Sequence, residues 1–265
     1  VGTVLDKEIE ILSSAFKPLG NVNFYVVESD STDNTLEVLN TLANRLPNFK
    51  YISLGQLGPT ITDRLERMAR CRNAFVEYVR SLPNSEIDYV VVADLDGVNS
   101  ALTAESVSTC FTRNDWDGVM TNQGKNYYDV YTLREPNWCP NDTWAEFWRL
   151  RSEGMKELRA KETAIHKKQI RIPKTSPWIP VDSAFGGLAI YRKEVFDIAE
   201  YSGHLENGAS ACEHVYFNLT LRKFGKNLFI NPALINSIWN EHNYIHKFLP
   251  STRRKIALIK ERLFS

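Results

Sequence analysis

The sequence predicts an α/β fold, a mostly parallel central sheet flanked by helices. Three observations predict it. Short apolar runs rich in β-branched residues, above all Tyr89-Val90-Val91-Val92-Ala93, are too short for helices and read as buried strands. These runs alternate with longer segments of helical period, as they do where crossover connections cover a sheet. Two of the runs end on carboxylates, Glu28 in one case and the pair Asp94 and Asp96 in the other, at the sheet edge where open α/β folds hold ligands.

The chain opens on a helix. Val4, Ile9, Leu12 and Phe16 set an amphipathic period over residues 3–17, and Pro18-Leu19-Gly20 ends that helix. Asn23 to Val27 forms a strand, Leu36 to Leu46 a helix, and Ser31-Thr32-Asp33-Asn34-Thr35 the turn between them, in which at least one side chain caps the helix. Lys50 to Leu54 is a second strand; after a loop over Gly55 to Pro59, a long helix over residues 62–80 leads to the strand tipped by Asp94 and Asp96. A first helix at residue 3 is normally fed by a strand, so the numbering is expected to begin just after one. Beyond Asp96 come a helix over Thr103 to Thr112, a strand over Gly118 to Thr121, an aromatic-rich stretch from Tyr127 to Trp148 and a charged helical surface over 149–170. A loop over 171–181 holds three prolines and leads to a strand over Gly186 to Tyr191, a helix over 210–224 and a short strand over 227–230. We expect residues 1–250 to form one unit and residues 251–265 a basic helix carrying Arg253, Arg254, Lys255, Lys260 and Arg262.

Composition narrows the function classes. With 43% apolar and 24% charged positions in 265 residues, the chain can bury one sizeable core. Thirty-two basic residues balance 32 acidic ones, which leaves no overall electrostatic footprint for nucleic acid, so no nucleic-acid partner is expected. Cys71, Cys110, Cys139 and Cys212 are far apart and lack zinc-like spacing, so they read as reduced, mostly buried thiols. No run reaches the roughly 20 apolar residues of a membrane span, and the N-terminus lacks a signal-peptide pattern. The expected location is the cytoplasm, although a chain separated from an anchor reads the same, and the basic C-terminal helix suits an anionic membrane surface, a partner, or packing through Ile256, Leu258, Ile259 and Leu263.

Asp94 and Asp96 lie two apart at a strand end, where alternation sends both carboxylates to one side. Hard oxygen ligands of this kind suit Mg²⁺ or Mn²⁺, which complete their shells with substrate phosphates. Glu28, with Asp30 beside it, sits at the tip of an earlier strand, placed to accept from a ribose hydroxyl or a base N–H. On the helix over 62–80, Leu65, Ala69, Val76 and Val79 define a buried stripe whose remaining position is Arg72. A guanidinium there needs Asp94, Glu28 or an anionic ligand. Gly186 and Gly187 open a strand, either for backbone approach of a substrate or for close packing. Glu213 is a candidate general base, although Ser210-x-x-Glu213 also reads as a capping box; His214 is then the alternative base. His242 is a candidate third metal ligand, or a surface histidine.

Taken together, the acid-tipped early strand with Ser-Thr-Asp-Asn-Thr, Arg72-Asn73, Asp94-Leu95-Asp96 and Glu213-His214 resemble the GT-A glycosyltransferases over roughly residues 20–230. The resemblance implies a Rossmann-like GT-A domain, with a nucleotide-sugar half over 1–120 and an acceptor half over 121–250. It assigns Asp94 and Asp96 to a cation on the diphosphate of a UDP- or GDP-sugar, Glu28 and Asp30 to the nucleoside, and Arg72 to the nucleotide pocket. Cys212-Glu213-His214 followed by Arg222 and Gly225 looks like the Gly-Glu-Asp…Arg…Gly signature of inverting members, with His214 where an aspartate is usual. Tyr127-Tyr128-Asp129 and Trp138-Cys139-Pro140 are similar to a subgroup that includes capsule mannosyltransferase-like and viral proteins. The resemblance places Tyr128, Asp129, Asp182 and Gly187 on the side of the saccharide or glycoconjugate acceptor. Two competing readings remain: a sugar-1-phosphate nucleotidyltransferase, and a carbohydrate-binding domain that keeps the fold without activity.

Overall fold

The computed structural model describes residues 2–238; His242 and the predicted basic helix over 251–265 lie outside them. In chain order the elements are α1 (Gly2–Phe16), β1 (Phe24–Glu28), α2 (Thr35–Arg45), β2 (Phe49–Ser53), α3 (Arg64–Ser81), β3 (Tyr89–Ala93) and α4 (Ala104–Ser108). They continue with β4 (Gly118–Gln123), α5 (Thr143–Ser152), α6 (Glu157–Ala164), β5 (Ile179–Pro180), β6 (Leu188–Arg192), α7 (Glu213–Lys223) and β7 (Leu228–Ser237). The architecture is α/β, a mixed sheet with helices on its faces.

β1 and β2 pair in parallel, from Phe24 opposite Phe49 to Glu28 opposite Ser53. The larger sheet has the order β3-β6-β4-β7-β5. β3, β4 and β7 run one way, while β6 and β5 run against them. Among the described residues β1 bonds only to β2 and β3 only to β6, so each has one open edge. The same two helices nevertheless cover both strands. Phe24, Val91 and Ala93 pack against a cluster holding Leu12 and Ala15 of α1, and Val90 packs against one holding Ala69 and Val76 of α3. Tyr25 of β1 stacks on Tyr78 of α3 at 3.8 Å.

Local chemistry sets the element ends. Asp63 accepts from the Leu65 amide at 2.8 Å and starts α3. Thr103 and Ser106 form a reciprocal capping box at α4, which passes into a 3₁₀ turn over Thr109–Thr112. Gly154, at φ +86°, separates α5 from α6 and divides the helical segment expected over 149–170. The predicted stripe of α3 is buried at Ala69, Arg72, Val76 and Val79, with each valine contributing about 1.5–3 kcal/mol.

Two boundaries differ from expectation for a physical reason. β7 runs ten residues, through Pro232, because register shifts around Asn122 absorb the proline, and the Asn122 carboxamide donates to the Pro232 carbonyl at 2.9 Å. α7 begins at Glu213 without a side-chain cap, because Ser210 bridges to His204 instead.

Candidate active site

β3 delivers Asp94 and Asp96 to the end of the larger sheet. The Asp94 amide donates to the Gly187 carbonyl at 3.0 Å, which continues the β3–β6 ladder one residue past the strand. Asp96 is exposed, and the Asp94 side chain is 36% exposed. Gly97, at φ +98°, turns the chain immediately afterwards. Arg72 donates to Asp94 Oδ1, while Asp94 Oδ2 and the Asp96 carboxylate accept no hydrogen bond from the described residues. Burial lifts the Asp94 carboxyl above its usual range against the pull of Arg72, and the charges of Asp96 and Glu213 lift it further.

Arg72 joins the two halves of the site. Its Nε donates to Glu213 Oε1 at 2.7 Å and its Nη2 to Asp94 Oδ1 at 3.0 Å, with the guanidinium lying over the rings of Phe185 and Tyr201. Of the two partners open to it from sequence, Arg72 takes Asp94 and not Glu28, and adds Glu213. Burial works against the charged guanidinium, but the two carboxylates outweigh it and keep Arg72 protonated. Burial likewise pushes Glu213 up, and Arg72 outweighs it and holds the carboxyl down to about 2. Glu213 is therefore no capping-box residue: its carboxylate spans to α3 and leaves its own helix uncapped.

His214 is placed differently from the base role expected for it. Its ring stacks on Phe185 at 3.6 Å, is 2% exposed, and neither ring nitrogen is hydrogen-bonded by the described residues. Burial, reinforced by Arg72, drives its pKa well below the usual histidine range. The imidazole is thus neutral and interior, as deeply buried as its neighbour Glu213. On α7 the residue after Glu213 turns about 100° around the axis, into the core.

The β1 tip is built from the same logic. Glu28 is buried and accepts from the Ser31 amide at 2.9 Å and the Ser53 hydroxyl at 2.5 Å, so both oxygens hold the tips of β1 and β2 together. Asp30 has a left-handed backbone at φ +59°, accepts from the Gly58 amide at 2.8 Å and lies 3.6 Å from Arg67 Nε. The N-cap of α2 is Asn34, with no side-chain cap; Asp33, one residue earlier, accepts from the amide and hydroxyl of Thr35, bonds that hold its carboxyl far below the usual range.

Of the residues expected on the acceptor side, three gather near Asp94. Tyr128 is half-buried; burial, Asp129, Asp94 and Asp96 all raise its phenol well above its usual range. A Cβ on Gly187 would sit 3.1 Å from the Tyr128 hydroxyl and 2.7 Å from Val98 Cγ1, and φ there is +90°, so close packing accounts for this glycine. Asp129 accepts from the Gly186 amide at 2.9 Å and the Thr132 hydroxyl at 2.7 Å, which fixes the glycine turn. Asp182 lies apart: it pairs with Arg222 at 3.1 Å, about two and a half turns along α7 from Glu213.

Sequence reasoning missed Glu8 and Asn99. Both are buried, at 2% and 0% exposure, and Asn99 Nδ2 donates to Glu8 Oε2 at 2.9 Å and to the Asp94 carbonyl at 2.7 Å. The signal was present for Glu8, which falls on the stripe of Leu5, Ile9 and Leu12 as Arg72 falls on that of α3.

Among the described residues no group of three or more histidine, cysteine or acidic side chains is arranged to hold a metal ion, and no helix is long and apolar enough to cross a membrane. Two carboxylates with unshared oxygens fit a hard divalent cation whose other ligands come from substrate and water. No protein-family model and no curated protein sequence matches the chain. Among solved structures it is similar to the crystal structure of A197 from STIV, at 12% identity and a TM-score of 0.34, over 79% of this chain and 81% of that one. A likeness of that degree carries no argument about activity.

Proposed function

We propose that the chain is a metal-dependent glycosyltransferase that moves a sugar from a nucleoside diphosphate sugar, UDP- or GDP-linked, to a hydroxyl of a saccharide or glycoconjugate. The observation that carries this reading is the convergence of Asp94, Asp96, Arg72 and Glu213 at the carboxyl end of β3. Unshared carboxylate oxygens and a fixed cation stand side by side there, the combination that a leaving diphosphate needs. A bound Mg²⁺ or Mn²⁺ would supply neutralisation of that leaving charge.

The chain's own residues do the rest. Asp94 and Asp96 would hold the cation, and the β1 tip around Glu28 and Asp30 would face the nucleoside, in a donor half over residues 1–120. Tyr128 and the Gly186–Gly187 turn would line the acceptor half over 121–250. Glu213 is the better placed of the pair, because its carboxylate shares Arg72 with Asp94, whereas both His214 ring nitrogens lie in the core with no hydrogen bond from the described residues. At 3% exposure, Glu213 meets a hydroxyl only when Arg72 swings toward the diphosphate and uncovers Oε1. His242, outside the described residues, stays a candidate third ligand.

A second reading draws on the same contact. Arg72 pairs with both Asp94 and Glu213, an arrangement equally suited to a carbohydrate-binding domain without turnover. Calorimetry with UDP and GDP, with and without Mn²⁺, separates the two. Nucleotide binding that needs Mn²⁺ and disappears in Asp96→Ala supports the transferase; binding of neither nucleotide in either condition overturns it. A panel of nucleotide sugars screened for slow hydrolysis then identifies the donor.

A further inference from the structure

A chain of buried carboxamides runs from α1 to the acid turn and on to the glycine turn. Asn99 is wholly buried, and its two Nδ2 hydrogens go to the Asp94 carbonyl at 2.7 Å and Glu8 Oε2 at 2.9 Å. Its Oδ1 accepts from Asn236 Nδ2 at 3.2 Å, and the same Asn236 nitrogen donates to the Gly186 carbonyl at 2.9 Å. Gln123 Nε2 reaches both Gly186 O and Asn236 Oδ1, and Gln123 Oε1 accepts from the Tyr128 amide at 3.3 Å. Only a carboxamide offers two donors and an acceptor at one planar group, so neither aspartate nor leucine can replace Asn99 without leaving a buried group unpaired.

The placement of Asn99 matters because Asp94 is held from both sides. Its amide is fixed by Gly187 of the opposite half and its carbonyl by Asn99, and the two carboxylates project from the backbone between those clamps and Gly97. Through Asn236, one network sets both the acid turn and the Gly186 carbonyl beside Tyr128. We infer that Asn99 is a positioning residue for the cation, held in turn by Glu8 of α1, and that the pair sets how tightly the Asp94–Asp96 turn grips a divalent ion. The inference rests on the donor-binding reading above. Neither residue touches the reacting atoms; each acts through the Asp94 backbone. Outer groups that orient metal ligands typically change affinity by about 10- to 100-fold when removed.

The test is Mn²⁺ binding to the full chain in the presence of UDP or GDP, followed by the electron paramagnetic resonance of free Mn²⁺, at a temperature where circular dichroism shows each variant folded. Asn99→Ala is expected to weaken Mn²⁺ binding by about tenfold or more, and Glu8→Ala by a smaller factor. Glu8→Gln, whose amide oxygen still accepts from Asn99, is expected to stay near wild type. If Asn99→Ala does not fold, Glu8→Ala against Glu8→Gln decides. A folded Asn99→Ala or Glu8→Ala with wild-type Mn²⁺ affinity overturns the inference, even where its melting temperature falls. Wild type that binds no Mn²⁺ with either nucleotide overturns the donor-binding reading itself, and this inference with it.

Discussion

Arg72 and Glu213, 141 positions apart in the chain, form an ion pair at 2.7 Å with side chains 10% and 3% exposed. Removing the cation strands a buried carboxylate. Arg72→Ala should therefore lower unfolding free energy by about 3–5 kcal/mol in urea titration, whereas Glu213→Gln, which keeps an oxygen for Arg72 Nε, should cost clearly less. Equal losses in the two variants would mean that the charge of the pair alone holds this contact, with no share for the packing of Arg72 over Phe185.

The same pair sets an acid limit. Glu213 is held down to about 2 in the folded chain, so its contribution is complete above the ordinary glutamate range near 4.5 and is lost as pH falls toward about 2. Asp94, whose folded carboxyl is raised, works in the opposite sense and gains stability as it protonates. Unfolding free energy against pH should fall less steeply below pH 4.5 in Glu213→Gln than in wild type.

His214 adds a loss at milder pH. Burial drives its folded pKa well below the ordinary histidine value of 6.5, so the unfolded chain takes up a proton that the folded chain refuses. Stability is full above that value and drops as pH falls below it, by at most about 1.4 kcal/mol per pH unit. His214→Phe should flatten the profile between pH 6.5 and about 5. An unchanged slope would mean that the Glu213 carboxylate, 3.8 Å from His214 Nε2, offsets burial and lets the ring take up its proton alike in the folded and unfolded chain.

Asp96 is exposed and accepts nothing from the described residues. Asp96→Ala should move stability by less than about 0.5 kcal/mol while abolishing Mn²⁺-dependent nucleotide binding. Thermal melts with and without Mn²⁺ and nucleotide check both: the ligand-dependent rise in melting temperature should vanish in the variant only.

Gly187 and Gly55 offer a controlled comparison. Both have positive φ, at +90° and +66°, but a Cβ on Gly187 meets Val98 at 2.7 Å whereas one on Gly55 meets nothing within 4 Å. Gly187→Ala should cost about 2–4 kcal/mol and Gly55→Ala about 1 kcal/mol by chemical denaturation.

Much of this was legible one element at a time. The inward stripe of α3 named Arg72 because hydrophobic period alone exposes a charge out of place, and the β3 run announced its two aspartates. Glu8 carries the same signal, four residues on from Val4 and three from Leu5, whose position is the fully buried one. The direction of β6 was not legible. Parallel and antiparallel central strands are both continuous apolar runs, and only the Asp129-fixed turn at Gly186 and Gly187 sends this one back between β3 and β4. His214 shows the limit of motif reasoning: the Cys-Glu-His order says which residues are adjacent, while helical rotation decides which of them reaches the site.

The open edges of β1 and β3 carry a consequence for handling the protein. Among the described residues each presents unladdered backbone amides and carbonyls beside half-buried valines, Val26 and Val27 on one side, Val90 and Val91 on the other. Apolar, charge-poor borders of that kind recruit any extended segment that drifts near. Concentrated or partly refolded samples should accordingly assemble through intermolecular β-pairing along these edges, and a single lysine written into either border should delay the onset of turbidity without disturbing the acids at the sheet's tip.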